Sequence, residues 1–522
     1  MSTLSSLIES YTSITTQEKQ YAASFIALIV VALVYGAWNK STRKYPPAIN
    51  PPKSFNLLGG STKVDFLKRS YEILHDTSRE GSDRPYTVYA DVGPVIILPP
   101  KFAEEIKNDP RLDFMAAVEQ DLHGDSSIPG FETFNTDLAS SILVQVAKKQ
   151  LTKFLNKITR PLSKEAAFSL RSILGDSPKW EEFGLLSMNL SLVARLSSRV
   201  FLGDKLCRDA EWLEVTSQYP VTAFGAAYKL RLYPRFLRPL VHWFVPECQL
   251  LRRQSAQARS MIEPLIKERL EEKRKAVEEG CPAPVYDDAI DWAQEESKHF
   301  KYEPATFQLA MSNAAIHTTS DLLTQTILEL LGNPELIQPL RDEVIEVLRI
   351  HGWTKLGLYN LKLMDSILKE TQRMKPIQMI SMHRAALADL RLSDGTIIHK
   401  GAKCAIANTT RVDSGIYEKP EKFDGYRFLN MRSDPGKENS AQFVTTGVNS
   451  LGFGHGTHAC PGRFFAANEV KIALCHLILK YDMELSPGTS PEITWYGFDM
   501  SSNRNAKIRV RRRKEEIDID SI

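Results

Sequence analysis

Cysteine is scarce in these 522 residues. The six present (Cys207, Cys248, Cys281, Cys404, Cys460 and Cys475) are too few and too scattered for a disulfide scaffold, so the bulk of the chain suits a reducing compartment. No charge of either sign dominates. Lys and Arg number 66 against 63 Asp and Glu, a formal net charge of +3, which argues against general nucleic-acid binding. Between residues 54 and 513 there is no internal repeat, no low-complexity tract and no linker, so a single large core is compatible with the length. A strand–helix–strand alternation is missing as well. With 43% hydrophobic and 25% charged residues, neither disorder nor a multi-span membrane protein fits.

Long apolar runs are also rare, and one stands out. Tyr21–Trp38 reads YAASFIALIVVALVYGAW, uncharged from Lys19 to Lys40. At about 1.5 Å per residue, roughly 18–20 residues cross a hydrocarbon core. A cleavable signal peptide would have a shorter core and a small-residue cleavage site. Here Lys40, Arg43 and Lys44 follow directly, then prolines from Pro46 to Pro52. The expectation is a short lumenal segment (1–20), a single-pass anchor (21–39), a basic, Pro-rich hinge (40–53), a cytosolic body (54–513) and an acidic tail (514–522).

The body reads as mainly α with small β-sheets. A helical pattern runs from Glu303 to Leu331 and stops at Gly332-Asn333-Pro334. Others follow from Pro334 to about Ile350 and from about Leu361 to Met374, where Pro376 ends it. Strands are expected near Tyr86–Tyr89, Val95–Leu98 and within Leu392–Ala407, around a turn at Asp394-Gly395. The mixed charges of Lys267–Glu279 predict a solvated helix face. Leu230–Val245 (LRLYPRFLRPLVHWFV) allows two readings, a membrane-interface surface with Arg at headgroup level or a buried helix pair.

The most informative stretch is Phe453-Gly454-His455-Gly456-Thr457-His458-Ala459-Cys460-Pro461-Gly462. A cysteine among glycines, ahead of a helix starting near Pro461, predicts backbone N–H groups aimed at a thiolate. Such a thiolate suits axial ligation of haem iron, with Phe453 as an apolar wall over the sulfur. His458 lies two residues away, within reach of a haem propionate. Two alternatives stay open: zinc held by His455, His458 and Cys460, and a merely structural cysteine.

The loop resembles the haem-binding signature of the cytochrome P-450 superfamily, Phe-x-x-Gly-x-[Arg/His]-x-Cys-x-Gly, at Phe453, Gly456, His458, Cys460 and Gly462. Glu370-Thr371-Gln372-Arg373 resembles the family's Glu-x-x-Arg, and Pro420–Phe423 with Arg427 resembles the segment whose Arg joins that pair. The variant forms of these motifs are most similar to filamentous-fungal members of terpenoid metabolism. The resemblance implies a P-450 fold, a structural role for Glu370, Arg373 and Arg427, and a propionate-binding role for Arg384. It further implies that Thr318, in Ala314-Ala315-Ile316-His317-Thr318-Thr319, serves the oxygen side of a haem. The family's acid is His317 here, either a substitute proton relay or a residue facing away. Lys149, Lys153, Lys157 and Arg160 read as one basic helical stripe, for a propionate, an acidic reductase surface or solvent.

By resemblance, the substrate walls are Phe114–Asn135, Ser312–Ala315, Ile377–Met382 and Thr494–Ser501. The implied cofactor is haem b with Cys460 as its thiolate ligand and iron as the metal. Electrons would come from NADPH through NADPH-cytochrome P-450 reductase, with cytochrome b5 as a second donor. The implied activity is hydroxylation or successive oxidation of a bulky hydrophobic small molecule at the endoplasmic reticulum bilayer. Desaturation, ring formation or rearrangement of a polyketide or alkaloid is the enzymatic alternative, and a haem-binding sensor the non-catalytic one.

Overall fold

The structure is a computed structural model that describes residues 45–51, 60–79, 83–125, 128–137, 141–298 and 302–522, with Tyr21, Ser24 and Phe25. Segment 1–20 lies outside the described residues, as does the expected anchor 21–39 apart from those three. Two compact units are distinguished, Met1–Pro47 and Ala48–Ile522. The second carries all the elements below.

Those that frame the site are α1 (Gly60–Arg79), β1 (Tyr86–Ala90), β2 (Gly93–Leu98), β3 (Leu112–Asp113), α2 (Phe114–Asp121), α3 (Leu155–Leu174), β4 (Glu181–Gly184), α4 (Leu185–Leu202), α5 (Ala210–Arg231) and α6 (Pro246–Glu278). They continue with α7 (Pro304–Gly332), α8 (Ile337–His351), α9 (Lys362–Met374), β5 (Ile380–Ala386), β6 (Lys403–Ala407), α10 (Arg463–Lys480), β7 (Tyr481–Leu485), β8 (Thr494–Tyr496), β9 (Asp499–Ser501) and β10 (Lys507–Arg512). Helices dominate, as the sequence pattern predicts.

The central helix is α7. Glu303 caps it by accepting from the amides of Ala305 and Thr306, and Pro304 occupies its first turn, where no N–H is needed. It packs against α4, α5, α6 and α9. Buried residues lie all around it, from Phe307 to Leu330, so it is a core helix rather than an amphipathic surface one. α9 runs beside it with a buried face that includes Asp365, Lys369, Glu370 and Arg373, four charged residues that must find partners inside.

The main sheet has the order β1-β2-β6-β5-β3. β2 and β6 are parallel (Val95 opposite Lys403), and β6 and β5 antiparallel (Ile380 opposite Ala407). The β5–β6 register shifts between Ser381 and Arg384, with Met382 at φ +52°. This bulge re-aims the residues on either side of it. Ser381 Oγ donates to Leu451 O at 2.8 Å, fastening the strand to the cysteine loop. A smaller sheet, β4-β10-β7, the β8–β9 hairpin and a two-stranded pair of Leu390–Arg391 with Ile397–Ile398, around the expected turn at Asp394-Gly395, complete the set among the described residues.

Three expectations change. The basic stripe is not one regular helix: Val146–Leu151 forms a π turn and α3 starts only at Leu155. Lys149 pairs with Glu296 at 3.0 Å and Lys157 with Asp287 at 3.5 Å, so neither is free for a propionate. The buried-helix reading of Leu230–Val245 also fails, since Phe236, Trp243 and Phe244 are 68%, 54% and 82% exposed. The tail past Arg513 folds back onto the body: Ile519 is fully buried, its carbonyl accepts from Trp353 Nε1 at 2.8 Å, and Asp520 pairs with Lys480 at 2.6 Å.

Candidate active site

In the cysteine loop, Gly454 and Gly456 have φ of +68° and +77°, values that a side chain resists. Gly456 is also pressed against its neighbour, because a Cβ there would lie 2.4 Å from Lys107 O. The Cys460 N–H donates to Phe453 O at 2.8 Å, and Arg463 Nη1 donates to Cys460 O at 2.8 Å. Burial pushes the Cys460 thiol up, while the Gly462 amide, the Arg463 guanidinium and the Arg463 amide pull it down. The expected N–H donors are thus in place beside the first turn of α10, although burial outweighs them.

Glu370 is fully buried on α9. Its carboxylate accepts from Arg373 Nε at 2.7 Å and Nη2 at 2.8 Å, from Arg427 Nε at 3.0 Å and from the Asp424 amide at 3.1 Å. Arg373 spends its remaining nitrogen on Pro420 O at 2.8 Å and on Arg411 O. Spacing i,i+3 brings the first pair together, and a bidentate fork makes it strong. The whole cluster pins segment 411–427 to α9.

Arg384, His458 and Lys148 gather near Asp113. His458 Nε2 lies 3.9 Å from Asp113 Oδ2, and burial, Arg384 and Lys148 all lower its pKa. Arg384 is 1% exposed, and only its Nη1 is engaged, by donation to His383 O at 2.7 Å. Its Nε and Nη2 are buried without a partner, and burial brings its pKa down to about 10. A buried guanidinium with two open donors is costly unless an anion meets it. His455 turns elsewhere, to Glu104 at 2.9 Å and Thr446 at 3.2 Å. Among the described residues no three His, Cys, Asp or Glu side chains are grouped to hold a metal, so the zinc reading has no site.

On α7, Met311, Ser312, Ile316, Thr319 and Ser320 are buried, yet Ala314 in their midst is exposed. A core helix exposed at one point faces an internal space, and Thr318 sits one turn on from it. Thr318 Oγ1 donates to Ala314 O at 2.9 Å, which leaves its lone pairs free to accept. His317 takes the other direction: its Nε2 donates to Ser217 O of α5 at 2.8 Å, and burial lowers its pKa. It holds α7 to α5 as a neutral imidazole, the facing-away arrangement rather than a relay.

The expected walls converge. Met379 N donates to Phe498 O at 2.9 Å and Met500 N to Ile377 O at 2.8 Å. Asp499 accepts from Gln378 at 2.8 Å and from Tyr228 of α5 at 3.2 Å. Arg231, at the end of α5, donates to Asp121 O at 3.0 Å and pairs with Asp91 at 2.5 Å, drawing in segment 114–135.

Comparison with known proteins decides the family. The family model described as Cytochrome P450 matches residues 227–510. The chain belongs to the cytochrome P450 family. It is 42% identical to cytochrome P450 monooxygenase hepE of Aspergillus oryzae, over 96% of this chain and 92% of that one. It is 46% identical to cytochrome P450 monooxygenase 1 of Gibberella fujikuroi, over 84% and 99%. A crystal structure of the cytochrome P450DA haem domain superposes with a TM-score of 0.66 at 16% identity, over 90% of this chain and 99% of that one, and shows the shared fold.

This P450 is therefore an oxidoreductase of a haem-thiolate family whose members take electrons from a redox partner. Its own residues fit the haem. A sulfur flanked by amide donors suits an axial ligand, and the half-engaged Arg384 suits a carboxylate such as a propionate. When bound, the haem supplies O2 activation and oxidation at carbon. Sequence reasoning missed Asp365 and Arg463 as contributors to the site, and reached Lys148 and Asp499 only as members of longer stretches. Only Arg463, next to the motif, carried any local signal.

Proposed function

We propose that this P450 is a membrane-bound monooxygenase that hydroxylates or successively oxidises a bulky hydrophobic substrate, a terpenoid intermediate of fungal secondary metabolism. Cys460 would hold the haem iron through its sulfur, and Arg384 with His458 would hold the haem propionates. Thr318, whose hydroxyl proton is engaged by Ala314 O, offers its lone pairs to accept from a proton donor on the oxygen side. NADPH supplies the electrons through a reductase. The observation that carries this reading is the Cys460 loop with its two amides beside the sulfur. Support for an apolar substrate comes from the buried wall residues Ile380, Met382 and Phe498, and support for a fungal monooxygenase from the relatives it resembles. The test is reconstitution with reductase, NADPH, labelled dioxygen and a panel of terpenoid hydrocarbons. A product with one labelled oxygen supports the proposal; a dehydrogenated or cyclised product without it overturns hydroxylation.

Thr318→Ala keeps the fold and removes the hydroxyl. NADPH consumption then persists while product formed per NADPH falls about a hundredfold, the low end of the range for losing a proton-handling group. The measurement is product against NADPH and hydrogen peroxide, and unchanged coupling defeats the oxygen-side role.

The membrane reading is supported by the patch between α5 and α6. Phe236, Leu240, Trp243 and Phe244 are exposed, flanked by the exposed Arg235. Phe236→Ser with Phe244→Ser lowers partition of a chain lacking residues 1–44 onto anionic vesicles by about tenfold or more, given about 1.5–3 kcal/mol per buried Phe. Equal flotation of variant and parent would remove this surface from the proposal.

A further inference from the structure

Asp365 shares the buried face of α9 with Glu370 but belongs to a separate cluster, and it is 6% exposed. Its Oδ1 meets Lys471 Nζ at 2.7 Å, its Oδ2 accepts from the Phe443 amide at 2.9 Å, and Arg432 pairs with it as well. Lys471 Nζ also donates to Leu358 O at 3.0 Å, so its ammonium is held by two separate segments. Burial opposes the charge on Asp365, yet the two cations and the amide hold its carboxyl below the usual range.

What these partners have in common is Cys460. Lys471 lies on α10, the helix that begins three residues after the cysteine. Arg432 and Phe443 lie on the segment that leads into the cysteine loop. From Phe443 the path to the sulfur is short. Its ring meets Phe453 edge to face at 5.1 Å between centroids, and Phe453 O accepts the Cys460 amide at 2.8 Å. The next carbonyl, Val444 O, accepts Arg463 Nε at 3.1 Å, while Arg463 Nη1 holds Cys460 O. Lys369, one helical turn beyond Asp365, donates to Gln442 O at 2.8 Å and Thr445 O at 3.2 Å, fixing the chain on either side of Phe443. One carboxylate is thereby joined to both flanks of the cysteine.

We propose that Asp365 is a positioning residue for the Cys460 sulfur, clamping the incoming loop through Phe443 and the outgoing helix through Lys471. The proposal rests on the reading of Cys460 as the haem ligand. Glu370 fastens residues 411–427; Asp365 fastens the next stretch and the helix beyond the cysteine, so the two carboxylates have different tasks. Asp365→Asn keeps the shape and leaves Lys471 and Arg432 without their counter-charge.

The test follows the reduced, carbon-monoxide-bound spectrum of the full chain in membranes during mild warming. In Asp365→Asn the red-shifted thiolate band forms and then decays to a band without thiolate about a hundredfold faster than in the parent, as expected for one broken buried ion cluster. Haem stays bound and the far-UV circular dichroism is unchanged over that time, whereas Asp365→Glu restores most of the parent's lifetime. Should Asp365→Asn fail to hold haem at all, Phe443→Leu keeps every charge and loosens only the aromatic contact. Its band then decays about threefold to tenfold faster. Decay at the parent rate in either variant, or decay only in step with global unfolding, overturns the proposal. A parent protein that shows no thiolate band overturns instead the reading of Cys460, and the proposal with it.

Discussion

Cys460→Ser removes the red-shifted carbon-monoxide band and lowers turnover about a thousandfold or more, the size of loss seen when an essential group is removed. The serine hydroxyl has nearly the same volume, and the Cys460 amide and carbonyl keep their bonds to Phe453 O and Arg463. Fold and thermal midpoint therefore stay close to those of the parent. What changes is the donor atom. A thiol gives up its proton to a metal readily, and the resulting thiolate pushes electron density toward iron, whereas an alcohol holds its proton far more tightly. Two amides that can shield a sulfur anion cannot overcome that difference. The checks are the difference spectrum and product formation on one preparation, with circular dichroism as the control. A retained thiolate band or turnover within tenfold of the parent defeats the assignment.

Glu370→Gln has a comparably large effect by another route. It leaves the guanidinium groups of Arg373 and Arg427 facing a neutral amide in a fully buried place. Breaking one side of such a cluster costs about 3–5 kcal/mol, against about 5–15 kcal/mol for the whole stability of a typical domain. Little holoprotein accumulates at 37 °C, and the thermal midpoint of what does accumulate falls by several degrees. The nearest amide, that of Asp424, also loses charge assistance at its 3.1 Å bond. Holoprotein yield per unit of expressed chain is the measurement. A yield equal to the parent's would show that segment 411–427 is held by other contacts.

These two positions were legible in the sequence for different reasons. Cys460 sits in a motif whose fixed residues are neighbours, and the chemistry of glycine and cysteine in a tight loop is local. Glu370 and Arg373 share one helix face by spacing alone, and Arg427 joined them only through resemblance. Asp365 gave no such sign, because Arg432, Phe443 and Lys471 come to it from distant segments and without any fixed spacing. The helices themselves were readable where a stop signal closed them, as at Gly332-Asn333-Pro334, which ends α7. The regular helix expected for the basic stripe failed where periodicity was extended through a π turn, although Lys149, Lys153, Lys157 and Arg160 are all exposed, as the solvent reading has it. His317 kept both its readings open until a partner appeared, since only the fold brings Ser217 of α5 within 2.8 Å. The aromatic residues of 232–244 fit, in sequence, a membrane-interface surface as well as a buried helix pair, and only their exposure separates the two.

The walls of the internal space are joined to each other in part through peptide groups: Met379 N to Phe498 O, and Met500 N to Ile377 O. Hydrogen bonds of that kind do not depend on which side chain each residue carries. The carboxylate clusters that secure the cysteine lie instead on α9 and on segments 411–445, away from 114–135, 377–382 and 494–501. Lineages descended from a common ancestor can therefore exchange Ile377, Met379 or Phe498 for larger or smaller groups while the ligand frame stays as it was. Diversification of what is oxidised and preservation of the oxidising centre are therefore largely separable in this architecture, with Ser381, which donates to Leu451 O beside the cysteine loop, as a point where the two meet.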